Sequence, residues 1–191
     1  MAKVDTSGNL VFKISFSSLF HFVPHNVQVA ELPDHSYVVV SDDSTLYRVS
    51  QGGILLSAKS LPIGQVTEII ALQGYSLLLN GTYQNARKNI VIDTSGNILQ
   101  SALANNTKKF KRTSDNKIVA LQDAGLQFYR ASLAPVQTHT KTYADVAVAN
   151  DLIYAITTDH EYAVMDTAFN VLHSYTLSSP VRSAQALAVN G

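Results

Sequence analysis

Residues 89–98 read NIVIDTSGNI, and that stretch decides the fold. Ile90, Val91 and Ile92 are β-branched and suit an extended, buried backbone. Asp93 and Ser95 carry short side chains that hydrogen-bond nearby backbone, while Gly96 and Asn97 tolerate the positive φ of a tight turn. Ile98 and Leu99 resume the apolar run, so the stretch is a strand, a turn and a second strand. Residues 2–10, AKVDTSGNL, repeat it, and residues 46–54, LYRVSQGGI, repeat it in degenerate form. Gly8, Gly52 and Gly96 are spaced by 44 and 44 residues. Two weaker copies follow, LQFYRASLAPV at 126–136 and YAVMDTAFNVL at 162–172, with the period shortened to roughly 37.

Between copies lie two further apolar runs. The first set covers 27–32, 66–72, a weak version around Phe110, 146–149 and 184–189; the second covers 37–40, 75–79, 118–121 and 152–156. Pro33-Asp34, Gln73-Gly74, Asp115-Asn116 and Asn150-Asp151 separate them as turns. Four short antiparallel strands in repeats of about 40 residues are the sequence signature of propeller blades. Labelled a to d, the strands give an all-β architecture of four blades near 24–60, 61–104, 105–141 and 142–178. A β-sandwich offers no reason for a four-strand period that repeats in phase.

The chain resembles the β-propeller superfamily, in the bacterial repeat type whose blades carry an Asp-x-x-Gly-Asn turn between the two outer strands. It lacks the Gly-His and Trp-Asp pair of WD repeats and the repeated double glycine of kelch blades, and it has no tryptophan. The resemblance therefore implies a fold and no named subfamily. Segments 1–20 and 179–191 are expected to contribute c, d and a strands to a shared partial blade that lacks its b strand. Such an edge is completed by the rest of a larger propeller, by a second chain or copy, or by a three-stranded closure.

Composition bounds the function. The 191 residues contain no cysteine, which excludes disulfides, thiolate zinc sites and cysteine nucleophiles. Fourteen Lys and Arg balance fourteen Asp and Glu, so a general nucleic-acid binder is not expected. No apolar stretch is long enough to cross a bilayer and no signal-peptide pattern opens the sequence. The expectation is a soluble chain without membrane contact, and a mature fragment of a secreted bacterial protein would read the same way.

Antiparallel connectivity puts the d–a and b–c loops at one end of a blade and the a–b and c–d turns at the other. Arg87 and Lys88 fall in the b–c hairpin of the second blade, beside Tyr83 at its tip. Lys108, Lys109, Lys111 and Arg112 fall at the entry to the third. These six of the 14 basic residues form a candidate ligand-binding rim for an acidic protein surface or an anionic glycan. Asp42, Asp43, Asp159, His160 and Glu161 flank it at neighbouring b–c turns. The six histidines show no metal spacing: His21 and His25 have Pro24 between them, and the DTSGN turns lack the distal Glu of a calcium loop. No metal or cofactor is expected. Weak catalytic candidates are Glu68 and Asp145, with Glu31 and Asp115 as further carboxylates on or near a strands. Asn80-Gly81-Thr82 and Asn105-Asn106-Thr107 match the glycosylation pattern. The recurrent tyrosines 37, 75, 154, 47, 129 and 162 are expected to pack between blades. The leading reading is a non-enzymatic binding or scaffold module; the alternative is a propeller hydrolase or lyase with carboxylates lining a central channel.

Overall fold

The computed structural model describes residues 2–4, 7–13, 26–41, 43–104 and 106–178. The run expected at 184–189, the histidines at 21 and 25, Asp42 and Asn105 lie outside them. Strands β1 (Ala2–Val4) and β2 (Leu10–Lys13) form a two-stranded antiparallel sheet. Four four-stranded sheets follow, each a meander of adjacent antiparallel strands. Blade 1 holds β3 (Val27–Glu31), β4 (Tyr37–Ser41), β5 (Thr45–Val49) and β6 (Leu55–Ser60). Blade 2 holds β7 (Gly64–Ala71), β8 (Ser76–Tyr83), β9 (Ala86–Asp93) and β10 (Ile98–Leu103). Blade 3 holds β11 (Lys109–Arg112), β12 (Ile118–Gln122), β13 (Gly125–Tyr129) and β14 (Pro135–His139). Blade 4 holds β15 (Tyr143–Ala149), β16 (Leu152–Thr157), β17 (Glu161–Met165) and β18 (Val171–Thr176). Among the described residues the one helical element is a 3-10 turn at Gln73–Tyr75. It carries Tyr75 at φ 60 and leaves the ring exposed, so Tyr75 opens β8 from a turn instead of packing between blades.

The chain divides into two compact units, Met1–Ser101 and Ala102–Gly191. Within each, burial follows strand position. The b strands β4 and β12 are buried at every residue, and their continuous apolar runs, YVVV and IVAL, are what two covered faces require. The d strands β6 and β18 are exposed throughout. Within each unit the two blades meet face to face. In the first unit Val38, Val40 and Leu46 of blade 1 share a core with Leu77, Leu79, Ile90 and Ile92 of blade 2. In the second, Val119, Leu121, Leu126 and Phe128 of blade 3 pack with Val146, Ile153, Ala155 and Met165 of blade 4. The alternate spacing of these residues is the period-2 face of a strand.

The c–d turn locks neighbouring blades together. In blade 2, Asp93 Oδ1 accepts from the Asn97 amide at 2.8 Å and Oδ2 from Asn97 Nδ2 at 2.7 Å, while Gly96 N donates to Asp93 O at 3.0 Å. Gly96 sits at φ +77, and a Cβ there would meet Leu61 Cδ2 of the preceding segment at 2.8 Å and Lys59 Cδ at 3.3 Å. Lys59 Nζ then donates to Asn97 Oδ1 at 2.9 Å, joining blade 1 to the turn of blade 2. Blade 4 repeats the arrangement: Asn170 caps onto Asp166 at 2.9 and 3.0 Å. There the glycine position is Phe169 (φ 70), stacked on Phe128 of blade 3 at 3.8 Å between centroids. Lys117 of blade 3 donates to Thr167 O at 2.7 Å. In blade 1 the counterpart of Gly96 is Gly53 (φ 86), whose amide donates to Ser50 O at 3.0 Å. The 44-residue spacing had selected Gly52; the hydrogen bond and the left-handed φ select its neighbour.

Candidate functional site

The b–c hairpin of blade 2 is the longest among the described residues. Its ladder runs out to Thr82↔Arg87 and Tyr83↔Ala86, and Gln84 and Asn85 turn the chain at φ 52 and 58. Both are exposed. A polar network holds the hairpin to β7. Arg87 donates to Gln65 O at 2.9 Å and to the Thr67 hydroxyl, Thr67 donates to Asn80 Oδ1 at 3.2 Å, and Asn80 Nδ2 donates to Asn89 Oδ1 at 2.9 Å. Burial lowers the Arg87 pKa. Asn80 is wholly buried in this network, which removes it as a glycosylation acceptor in the folded chain. Tyr83 and Lys88 flank this turn and are half-buried, Tyr83 packing against the core between blades 1 and 2: Lys88 Nζ lies 5.0 Å from the Tyr83 ring centroid and donates to Gln84 Oε1 at 2.8 Å.

The other basic residues belong to the second unit. Lys108 pairs with Asp123 at 2.6 Å, and Asn106 Nδ2 donates to the same carboxylate at 2.9 Å. These hydrogen bonds, Lys108 first, hold Asp123 below its ordinary pKa. Lys109 Nζ pairs with Asp145 Oδ1 at 2.8 Å, joining β11 to β15. The Asp145 side chain is 6% exposed and also accepts from the Val146 amide at 2.8 Å. Lys109 is therefore a structural cation between blades 3 and 4. Lys111 is half-buried and Arg112 exposed on the same strand, and neither forms an ion pair with a described residue. Asp123, which the sequence reading passed over, sits in the two-residue turn Asp123-Ala124 between β12 and β13. The Asp-Ala-Gly punctuation after a buried run was the available signal.

The carboxylates are dispersed and engaged. Glu31 pairs with His35 at 3.0 Å, across an a–b turn where His35 takes φ 60. Asp115 pairs with Lys117 at 2.9 Å; burial raises it, but hydrogen bonds from Lys117 and Thr113 prevail and hold it low. Glu68 is half-buried on β7 opposite Asn80. Within the second unit Asp145 lies beside the first residue of β11 and Asp115 follows its last, so the two are at opposite ends of that strand. Glu161 binds Lys141 at 2.5 Å and Ser174 at 2.5 Å, Lys141 being the larger cause of its lowered pKa. No cluster of three metal-ligating side chains occurs among the described residues.

No protein-family model and no curated protein matches the chain. Solved structures do. Pan2 of Neurospora crassa, in its WD40 domain, superimposes with a TM-score of 0.60 at 12% identity, covering 75% of this chain and 49% of that one. The fold is a β-propeller. Raptor of Chaetomium thermophilum matches at TM-score 0.65 and 13% identity over 82% of this chain and 16% of its own. BamB of Moraxella catarrhalis matches at 0.56 and 9% over 94% of this chain and 59% of its own. The chain thus spans less than two thirds of each, and at such identities the likeness extends to the propeller fold alone. Among the described residues no helix is long and apolar enough to cross a membrane.

Proposed function

We propose that this propeller, of the bacterial repeat type, is a non-enzymatic binding or scaffold module that uses its b–c and d–a loops to hold an acidic protein surface or an anionic glycan. The observation that carries the reading is the blade 2 hairpin, a projecting ladder braced by Arg87, Thr67, Asn80 and Asn89, whose half-buried Tyr83 and Lys88 lie together beside the exposed turn Gln84-Asn85. An amphipathic ring beside a cation on a rigid support is the composition of a contact site. The carboxylates support the same reading, because Asp115 and Asp145 are ion-paired, Glu31 is hydrogen-bonded to His35, and the Asp115 pKa is lowered, where a general acid needs a raised one. The test is retention on immobilised heparin at low salt. Tyr83→Ala and Lys88→Ala together are expected to elute earlier than the parent chain, and unchanged retention would overturn the assignment.

A further inference from the structure

The seam between blades 1 and 2 contains a polar cleft of about 370 Å³. It is lined by Leu46, Arg48, Ser57, Ala58, Lys59, Thr94 and Ser95. Two cations, three hydroxyls and no carboxylate face it. We propose that it binds the phosphate group of a small phosphorylated molecule.

Strand register builds the cleft. Leu46 pairs with Lys59 and Arg48 with Ser57 across β5 and β6, so the four side chains share one face of blade 1. Thr94 and Ser95 are the middle of the DTSGN turn of blade 2, pressed onto that face by the close approach of Gly96 to Leu61, Lys59 and Leu46. Each donor is positioned in advance. Arg48 Nη2 forms an ion pair with Asp34 Oδ2 at 2.9 Å, which fixes the guanidinium plane, while its Nε is buried with no partner among the described residues. Asn97 Oδ1 fixes Lys59 Nζ at 2.9 Å through a neutral amide; the ammonium forms no direct ion pair, though the Asp93 carboxylate lies close enough to feel its charge. Asp93 holds the turn by accepting from both nitrogens of Asn97. The hydroxyls of Ser57, Thr94 and Ser95 form no hydrogen bond with a described residue.

A guanidinium, an ammonium and three hydroxyls converging from two blades match a tetrahedral oxyanion, which accepts several charge-assisted bonds at once. The cleft is larger than a bare phosphate ion needs and falls in the range of small-molecule sites. The Leu46 side chain, on the same face as Arg48, Ser57 and Lys59, provides apolar floor for the group that the phosphate esterifies. The site is independent of the hairpin rim.

The experiment is a titration of the full chain with glucose 6-phosphate at constant ionic strength, followed by amide chemical shifts. Saturable shifts are expected at residues 57–59 and 94–96, with none from glucose or added sodium chloride. Lys59→Met keeps the alkyl stem against Gly96 and is expected to weaken binding about tenfold, as is Thr94→Val. Lys88→Ala should leave it unchanged. Absence of saturable shifts at those amides, equal shifts from glucose, or undiminished affinity in both cleft variants would overturn the proposal. Inorganic phosphate binding as tightly as the ester would also overturn it.

Discussion

Replacing Gly96 with alanine measures how tightly the turn of blade 2 is pressed into blade 1. Two costs add. At φ +77 an L side chain is strained, by roughly 1 kcal/mol. The new Cβ would also lie 2.8 Å from Leu61 Cδ2 and 3.3 Å from Lys59 Cδ, and such overpacking costs about 1–3 kcal/mol. The total is about 2–4 kcal/mol, which in a chain of this size lowers the melting midpoint by about 4–16 °C. Gly8 supplies the internal control. It occupies the same place in the first DTSGN turn, at φ +83, with nothing within 4 Å of an added Cβ. Gly8→Ala should therefore cost only the strain, roughly 1 kcal/mol. Shortening Leu61 to alanine in the Gly96→Ala background should recover part of the difference, since the two side chains then no longer compete for space. Circular dichroism melts and urea titrations of the single and double variants give the comparison. Equal losses for Gly8→Ala and Gly96→Ala would refute the interblade lock.

Three further outcomes follow from the same geometry. Lys109→Met leaves the carboxylate of Asp145, 6% exposed, without its cation; because Lys109 keeps 28% exposure, a stability loss of about 2–3 kcal/mol is expected, and Lys109→Met with Asp145→Leu should recover most of it in urea denaturation. Phe169→Ala removes a ring stacked on Phe128 and should cost about 3 kcal/mol or more, whereas Tyr175→Ala on exposed β18 should cost well under 1 kcal/mol. Stability should fall in two stages on acidification. His139 is lowered from 6.5, chiefly by burial, so its neutral form is favoured in the fold and its contribution, full above that value, fades as pH falls toward the folded pKa. Asp166, lowered from 3.8 mainly by the Asn170 side chain, contributes above that value and loses its share as pH drops through the folded pKa. Urea midpoints measured across that pH range, with His139→Gln flattening only the first stage, provide the check.

The strands were legible because a blade strand covered on both faces leaves an apolar run, and the runs at 37–40, 75–79, 118–121 and 152–156 lie in β4, β8, β12 and β16, with only Tyr75 outside. The turn chemistry was legible where Asp and Asn cap each other. The left-handed backbone of the turn was not legible in blades 3 and 4, where Leu133 and Phe169 take φ 55 and 70 in place of glycine. Burial of those side chains, at 4% and 2% exposure, outweighs the backbone preference that turn rules encode. The candidate site was partly legible. Residue type and loop position found Tyr83 and Lys88 at the hairpin tip, but Arg87 and Lys109 read as free cations because their partners come from other strands. Asp145 is 36 residues from Lys109, about one blade repeat, so the pair is a signal carried by the period instead of by local composition. The cleft around Arg48 and Lys59 has no sequence motif at all; it exists only once Thr94 and Ser95 of the next blade close over β5 and β6.

The binding assignment is tested most directly by two single-charge variants on immobilised heparin over a salt gradient. Lys88→Ala removes a cation from the hairpin tip; Arg130→Ala removes one from the exposed c–d turn of blade 3, at the other end of a blade. Net charge changes equally in both. The expected result is earlier elution of Lys88→Ala and parental elution of Arg130→Ala. Equal shifts for the two, or no shift for Lys88→Ala, would show that retention follows overall charge and would contradict a binding surface on the b–c and d–a loops.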